Sequence, residues 1–350
     1  MSKPVLNINR AIHWILDWDG TITARDTLDA LVNIAKEVKP KDDIDASWKR
    51  VTQAYLADYE ATIAQLAPDG LPSTIIEERK LLKDLEEVEQ RSIDRVSASG
   101  IFKDVTDQNI EMWSERSIRE RSVRLRDIDI LLHDIRTRMT HQIEDLDAVS
   151  ILSVNWSQAF ISDCLGSSQL SMDTDVVSYD TFNREKNLLY GYKGGKDAQE
   201  HINNAVTSHD NPREKPKRIR VYANELHGIV AGKHSSSTGV VCAKGDHKII
   251  CSNDKLNYIH HLRKINPYTL KPIPIVYVGD SWTDFESLLA ADVGICIRDE
   301  PMGSSQKKLA ESLQRVGVKC QHISQWSEMD EWAVVWAKNF AEIRIWVQTL

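Results

Sequence analysis

His13-Trp14-Ile15-Leu16-Asp17-Trp18-Asp19-Gly20-Thr21-Ile22-Thr23 decides how the rest of the chain is read. It begins as a short apolar run, which fits a strand of a parallel sheet buried on both faces. It then delivers two aspartates one residue apart, followed by Gly and Thr. A strand emptying into Asp-x-Asp-Gly-Thr puts carboxylates at the carboxyl edge of a sheet, where open α/β folds place their ligands. Side chains alternate along an extended chain, so Asp17 and Asp19 can point the same way. Gly20 lacks a Cβ and permits a tight exit with close approach of a ligand to the backbone. The same residues would also make an ordinary turn, because Asp and Gly gather in turns on conformational grounds. The decision therefore rests on what the other segments bring.

At 350 residues the chain is long enough for two domains, or for one core with a large insert. A net charge of −8 argues against a general binder of nucleic acid or of anionic membranes. No apolar run approaches the ~20 residues of a membrane span. The N-terminal Met-Ser-Lys-Pro-Val-Leu-Asn-Ile-Asn-Arg has no long apolar core and no cleavage signature, so it does not read as a secretory signal. Cys164, Cys242, Cys251, Cys296 and Cys320 are scattered without a Cys-x-x-Cys pair, which fits free thiols in a reducing compartment. The expectation is a cytoplasmic protein, with the nucleus as an alternative.

After the first strand the pattern turns helical. Leu28, Leu31, Val32, Ala35 and Val38 recur at helical spacing, and Lys39-Pro40 ends that helix. Trp48, Val51, Tyr55, Tyr59, Ile63 and Leu66 mark one face of a second helix. A long charged helix is expected over 73–97, then two shorter ones before 122, with no strand in the whole block. From 123 the α/β character returns: a helix over 128–142, then the β-branched run Ala148-Val149-Ser150-Ile151-Leu152-Ser153 as a second buried strand. Ser153 or Ser157 at the start of the next helix offers an anion site, or simply an N-cap. The stretch 166–217 is polar and reads as an insertion, with Asp175-Val176-Val177-Ser178-Tyr179 as a possible strand. Ile219 to Leu226 reads as a strand. A hairpin is expected to join Val240-Val241-Cys242 to Ile249-Ile250-Cys251. Lys255 then opens a helix, and Ile275-Val276-Tyr277-Val278 leads as a strand into Gly279-Asp280-Ser281-Trp282-Thr283-Asp284. The tail reads as two helices, 304–316 and 328–346, around a short strand at 320–323. Its Trp326, Trp332, Trp336 and Trp346 are expected to pack rather than to form a site.

Four loops thus carry Asp17 with Asp19, Ser153, Lys255, and Asp280 with Asp284, in that order and in one α/β sheet. The set resembles the haloacid dehalogenase-like (HAD) hydrolases. Asp17-Trp18-Asp19-Gly20-Thr21-Ile22-Thr23 and Tyr222-Ala223-Asn224-Glu225-Leu226 look closest to their phosphoserine phosphatase-like branch. The resemblance implies an α/β, Rossmann-like parallel sheet flanked by helices. It assigns 1–25 and 123–350 to the core and 26–122 to an inserted α-helical cap. It also implies a Mg²⁺-dependent phosphohydrolase acting on a small phosphorylated metabolite through an aspartyl-phosphate. Asp17 would be the nucleophile and Asp19 the general acid and base. Ser153 and Lys255 would hold phosphoryl oxygens. Asp17, the Asp19 carbonyl and Asp280 would bind the metal, with Asp284 direct or one shell out. Lys244 and Lys248 compete with Lys255, and Asp284 could be only a helix cap. A phosphotransferase, or a non-catalytic metal-binding or interaction protein, would keep the same scaffold. A dehalogenase would not need Asp19 or the metal carboxylates. Trp18 and Trp282 depart from the smaller residues usual at their positions, and 166–217 is longer than the resemblance requires. Zinc-like spacing is missing among His227, His234, His247, His260 and His261. Arg119, Arg121, Arg124 and Arg126 are expected to be solvated or salt-bridged rather than to reach a substrate.

Overall fold

The structure, a computed structural model, describes residues 12–141, 148–168, 174–175, 219–242, 248–264, 273–326 and 334–349. The polar stretch 166–217 therefore lies almost wholly outside the described residues, as do Lys244, His247 and Trp332.

The chain is built on an eight-stranded sheet whose described pairings are all parallel. Its strands are β1 (His13–Leu16), β3 (Ala148–Leu152), β4 (Thr174–Asp175), β5 (Ile219–Tyr222), β9 (Ile275–Gly279), β10 (Val293–Ile297), β11 (Gln321–His322) and β12 (Val334–Ala337). Their order is β11-β12-β10-β9-β1-β3-β5-β4, so β1 is central. Leu16 lies level with Ile151 of β3 on one side and Val278 of β9 on the other. Three loops therefore leave the same edge side by side, which is the first requirement for a shared site. Trp14 and Leu16 join one apolar cluster and Ile15 the other, so β1 is buried on both faces. That two-sided burial is why the run lacks polar alternation. The expected Rossmann-like sheet with flanking helices is the one that forms.

The helices are α1 (Leu28–Val38), α2 (Ile44–Leu66), α3 (Ile75–Asp84), α4 (Glu86–Ser99), α5 (Asp107–Arg119), α6 (Ile128–His141), α7 (Gln158–Ser167), α8 (Ser252–Lys264), α9 (Phe285–Ala290), α10 (Ser304–Arg315) and α11 (Phe340–Val347). The block between 26 and 122 leaves and rejoins the sheet at adjacent points. Thr23 bridges Leu125, the Ala24 N–H donates to the Arg124 carbonyl, and the Arg126 N–H donates to that of Ile22. The Asp43 carboxylate caps α2 and the Thr74 hydroxyl caps α3, each accepting a first-turn N–H. Asp58 on α2 accepts two hydrogen bonds from Arg91 on α4 (2.8 and 2.9 Å) and pairs with Arg95.

Four local expectations are corrected. The single helix over 73–97 is two, α3 and α4, meeting at Leu85. The block is not free of strands: β2 (Lys103–Thr106) pairs antiparallel with β7 (Ser236–Thr238), and α5 alone follows where two helices were expected. The hairpin to 249–251 does not form. Instead β8 (Val241–Cys242) pairs with β6 (Glu225–Leu226), because the strand expected over 219–226 breaks at Ala223-Asn224. Of the helix expected over 328–346, residues 328–333 lie outside the described residues, and among the described ones the helix starts at Phe340. Val334–Ala337 is strand β12, and its β-branched pair slots between β10 and β11. Trp326 and Trp346 stack edge to face at 5.3 Å, and Trp336 packs on His322 at 4.5 Å, as packing residues do.

Candidate active site

The site grows from the exits of β1, β3, β5 and β9. Asp17 continues β1 by one rung, its N–H donating to the Val278 carbonyl at 2.9 Å. The chain then turns through Trp18–Ile22, and Gly20 takes φ +74°, a left-handed value that L side chains avoid. A Cβ there would also collide with the Asp280 carboxylate, so Gly20 is required both for the turn and for the approach of the β9 loop.

Lys255 lies in the first turn of α8 and is completely buried. Its Nζ donates to Asp17 Oδ1 and to Asp284 Oδ1, both at 2.7 Å. Lys248, its competitor, pairs instead with Glu86. Asp17, Asp280 and Asp284 are all buried, and each offers an oxygen within 4.8 Å of the others. Three carboxylates here share one ammonium. Burial and the nearby Asp284 and Asp280 charges push Asp17 well above the usual carboxylate range, against the pull of Lys255. Burial, then Asp284, lifts Asp280 to about 7. Surplus negative charge on oxygen-only donors is the electrostatic condition that a hard divalent cation relieves.

Asp284 differs from its two neighbours. It accepts from Lys255, from the Tyr277 hydroxyl (2.6 Å), from the Asp280 and Ser281 N–H groups and from the Ser281 hydroxyl. Burial alone would raise its pKa, but the Lys255 charge and these donors hold it below the ordinary value. Both of its oxygens are occupied within the protein. Asp280 is freer, accepting only from the Thr21 and Ser305 hydroxyls at 3.1 and 3.4 Å among the described contacts, and it faces the cavity.

Asp19 turns away from that trio. Its Oδ1 accepts the Thr27 N–H (2.8 Å) and hydroxyl (2.6 Å), and its Oδ2 accepts Asn155 Nδ2 (2.9 Å). Burial, then the Asp26 charge, pushes it up to about 6, with Thr27 and Asn155 opposing. A carboxylate in that range can both give and take a proton near neutrality. The buried Trp18 indole donates to the Thr27 hydroxyl at 3.1 Å, so this unexpected tryptophan helps hold the group that holds Asp19.

The cavity that these residues face has a volume of about 480 Å³ and includes Asp17, Asp19, Asn155 and Asp280 in its lining. Ser153 is fully buried behind it, its Oγ accepting the Asn155 N–H at 3.1 Å. The β3 loop lines the cavity with Val154, Asn155 and Trp156, and its polar side chain there is Asn155, a residue to which the sequence reading assigned no role. Two further residues fix that loop. Asn224 donates to the carbonyls of Val154, Asn155 and Ile249. Glu225 accepts the Ser157 hydroxyl and the Ala159 N–H (2.8 Å each) at the start of α7. Both lay in the Tyr222-Ala223-Asn224-Glu225-Leu226 segment, whose polar pair ending a strand was the only available signal. Arg126 grips Asp299 with both terminal nitrogens (2.6 and 2.7 Å) and donates to the Gly20 carbonyl at 3.1 Å, so it braces the first loop, salt-bridged as expected.

No family model and no curated protein sequence matches the chain. Among the described residues no helix is long and apolar enough to cross a membrane. The solved structures similar to the chain include a phospho-aspartyl intermediate analogue of phosphoserine phosphatase (14% identity, TM-score 0.41) and phosphoserine phosphatase in its apo form (13%, 0.42). They also include a phosphoserine phosphohydrolase-like protein from Francisella tularensis (15%, 0.38). In each case 95% of this chain and 97% of the other are covered.

Proposed function

We propose that the chain is a phosphohydrolase of small phosphorylated metabolites, of the HAD type that its motifs resemble, working through a phosphorylated Asp17. The observation that carries this reading is the division of labour between two aspartates one residue apart. Asp17 shares Lys255 with Asp284 and stands with Asp280, whereas Asp19 is held separately by Thr27 and Asn155.

A phosphomonoester dianion repels a carboxylate nucleophile, so the attack needs positive charge. Lys255 supplies one fixed ammonium against Asp17 Oδ1, which leaves the other oxygen to face phosphorus. Asp17 then takes the phosphoryl group while Asp19 gives its proton to the departing alcohol. In the second half Asp19 takes a proton from water as that water displaces phosphate from Asp17. The residues that would hold Mg²⁺ are Asp17 and Asp280, with the Asp19 carbonyl by resemblance, and Asp284 orients them from behind. The ion would add the remaining charge that the phosphoryl oxygens need. Ser153 acts here through the Asn155 loop, whose side chain faces the cavity. The helices between 26 and 122 serve as the cap, since Trp48, Tyr55 and Glu89 from α2 and α4 wall the same cavity. A cap of this kind excludes water and favours small substrates.

The experiment is a phosphomonoester panel, including a generic aryl phosphate, run with and without Mg²⁺ and with Asp17→Asn as the blank. Phosphate release that needs both Mg²⁺ and Asp17 is expected. Full activity in Asp17→Asn, or none in the wild type across the panel, would contradict the proposal.

A further inference from the structure

Arg126 lies where the chain returns from the helical block to the sheet, one residue past the bridge between Thr23 and Leu125. Its main-chain N–H donates to the Ile22 carbonyl, while its side chain grips Asp299 beyond β10 and donates to the Gly20 carbonyl. We infer that Arg126 is a positioning residue for the metal carboxylates, and that this one side chain makes Mg²⁺ binding and the anchoring of the helical block a single linked equilibrium; the inference rests on the phosphohydrolase reading above.

Geometry carries it. Gly20 approaches Asp280 so closely that a Cβ on it would collide with that carboxylate. Any shift of Gly20 therefore changes the space between Asp280 and the adjoining Asp19 carbonyl, two of the groups that would hold the ion. Arg126 holds one side of that gap through Gly20 and the other through Asp299. Gln306, near the start of α10, receives the Asp299 N–H at 2.9 Å and donates from Nε2 to Asp299 Oδ2 at 2.8 Å. Ser305 beside it donates to Asp280 Oδ2 at 3.4 Å. The contacts thus form a closed ring, from Gly20 through Arg126, Asp299, Gln306 and Ser305 to Asp280 and back to Gly20.

Charge and position can be told apart. Arg126 carries the same sign as the ion, so charge alone gives it no attraction for Mg²⁺, and what it supplies is placement. Its side chain is only 12% exposed, and a guanidinium fork fixes direction as an ammonium cannot. Arg126→Lys keeps the charge and loses the fork. A group that only held the fold together would lower Tm when removed and leave the affinity of the folded chain for Mg²⁺ as it was.

The test is calorimetric titration with Mg²⁺, joined to hydrogen–deuterium exchange. Arg126→Met is expected to raise the Kd for Mg²⁺ by about tenfold, the scale of losing a group that orients metal ligands. Arg126→Lys should raise it less, in the same direction, and carries the comparison alone should Arg126→Met not fold. In the wild type Mg²⁺ should slow exchange at the amides of Ala24 and Arg126, whose bonds to the Arg124 and Ile22 carbonyls root the helical block. That slowing should shrink in both variants. A Kd unchanged in every variant that folds, or root amides indifferent to Mg²⁺ in the wild type, would overturn the inference, while phosphate release in the phosphomonoester panel left the hydrolase reading standing. A wild type that neither binds Mg²⁺ nor releases phosphate would overturn both.

Discussion

Lys255 shows how one residue decides between a charged site and an unstable core. It is fully buried and stays protonated because Asp17 and Asp284, each 2.7 Å away, outweigh the penalty of burial. Lys255→Met would leave surplus carboxylates in the interior with no cation. Removing one partner of a buried ion pair costs roughly 3–5 kcal/mol, so urea denaturation should show a loss of that order together with loss of phosphate release. A stable, inactive variant would mean that the carboxylates simply take up protons. Glu225 gives a second test, through pH. Burial pushes its pKa from 4.5 to about 7, so the folded chain holds that proton more tightly than the unfolded chain does. Its contribution to stability is therefore full below about pH 4.5 and declines as pH rises towards 7. Glu225→Gln should flatten the part of the fall in Tm over that interval that belongs to this group. An unchanged pH profile would show that Glu225 does not titrate there.

At the scale of elements, both unexpected tryptophans reach from a site loop to the helical block. Trp18 ties the β1 loop to Thr27 at the head of α1. Trp282 ties the β9 loop to α3, its Nε1 donating to Glu78 Oε1 at 2.7 Å. Glu78 is completely buried and also receives Arg315 at 2.7 Å and the Ser312 hydroxyl, both from α10. This buried carboxylate joins α3, α10 and the β9 loop, and no local pattern in Glu77-Glu78-Arg79 hinted at it. Glu78→Ala should cost about 3 kcal/mol and speed amide exchange across α3, measured by hydrogen–deuterium exchange. Exchange unchanged in α3 would mean that the apolar contacts of Leu81 and Leu82 hold the helix alone. The elements that sequence reading missed share a cause. Strand β2 pairs with β7 from far along the chain, and β12 is a strand only because β10 and β11 flank it. Periodicity reports local preference, and in both cases the distant partner overrides it. Asp17, Asp19, Lys255, Asp280 and Asp284 were legible because each sits within a residue or a few of a strongly apolar strand or at a helix start. Asn155 and Glu225 were not, because their roles exist only once the β3 and β5 loops meet.

For the molecule as a whole, the site is a group of buried carboxylates that folding brings together with too little positive charge. A ligand that binds only the folded state raises stability by mass action. Mg²⁺ should therefore raise Tm in a concentration-dependent way, and Asp280→Asn should abolish the shift. Asp284→Asn should weaken the shift through loss of orientation. A shift that survives Asp280→Asn would place the ion elsewhere. The central claim is that Asp17 itself carries the phosphoryl group. Its most direct test is rapid acid quench of the wild type turning over an aryl phosphate with Mg²⁺, followed by mass spectrometry of the peptide that contains 13–23. The account predicts one added phosphoryl group on Asp17, and none in Asp17→Asn, which should also release no phosphate. Sustained phosphate release by Asp17→Asn, or a phosphoryl group trapped on any other residue, would contradict it.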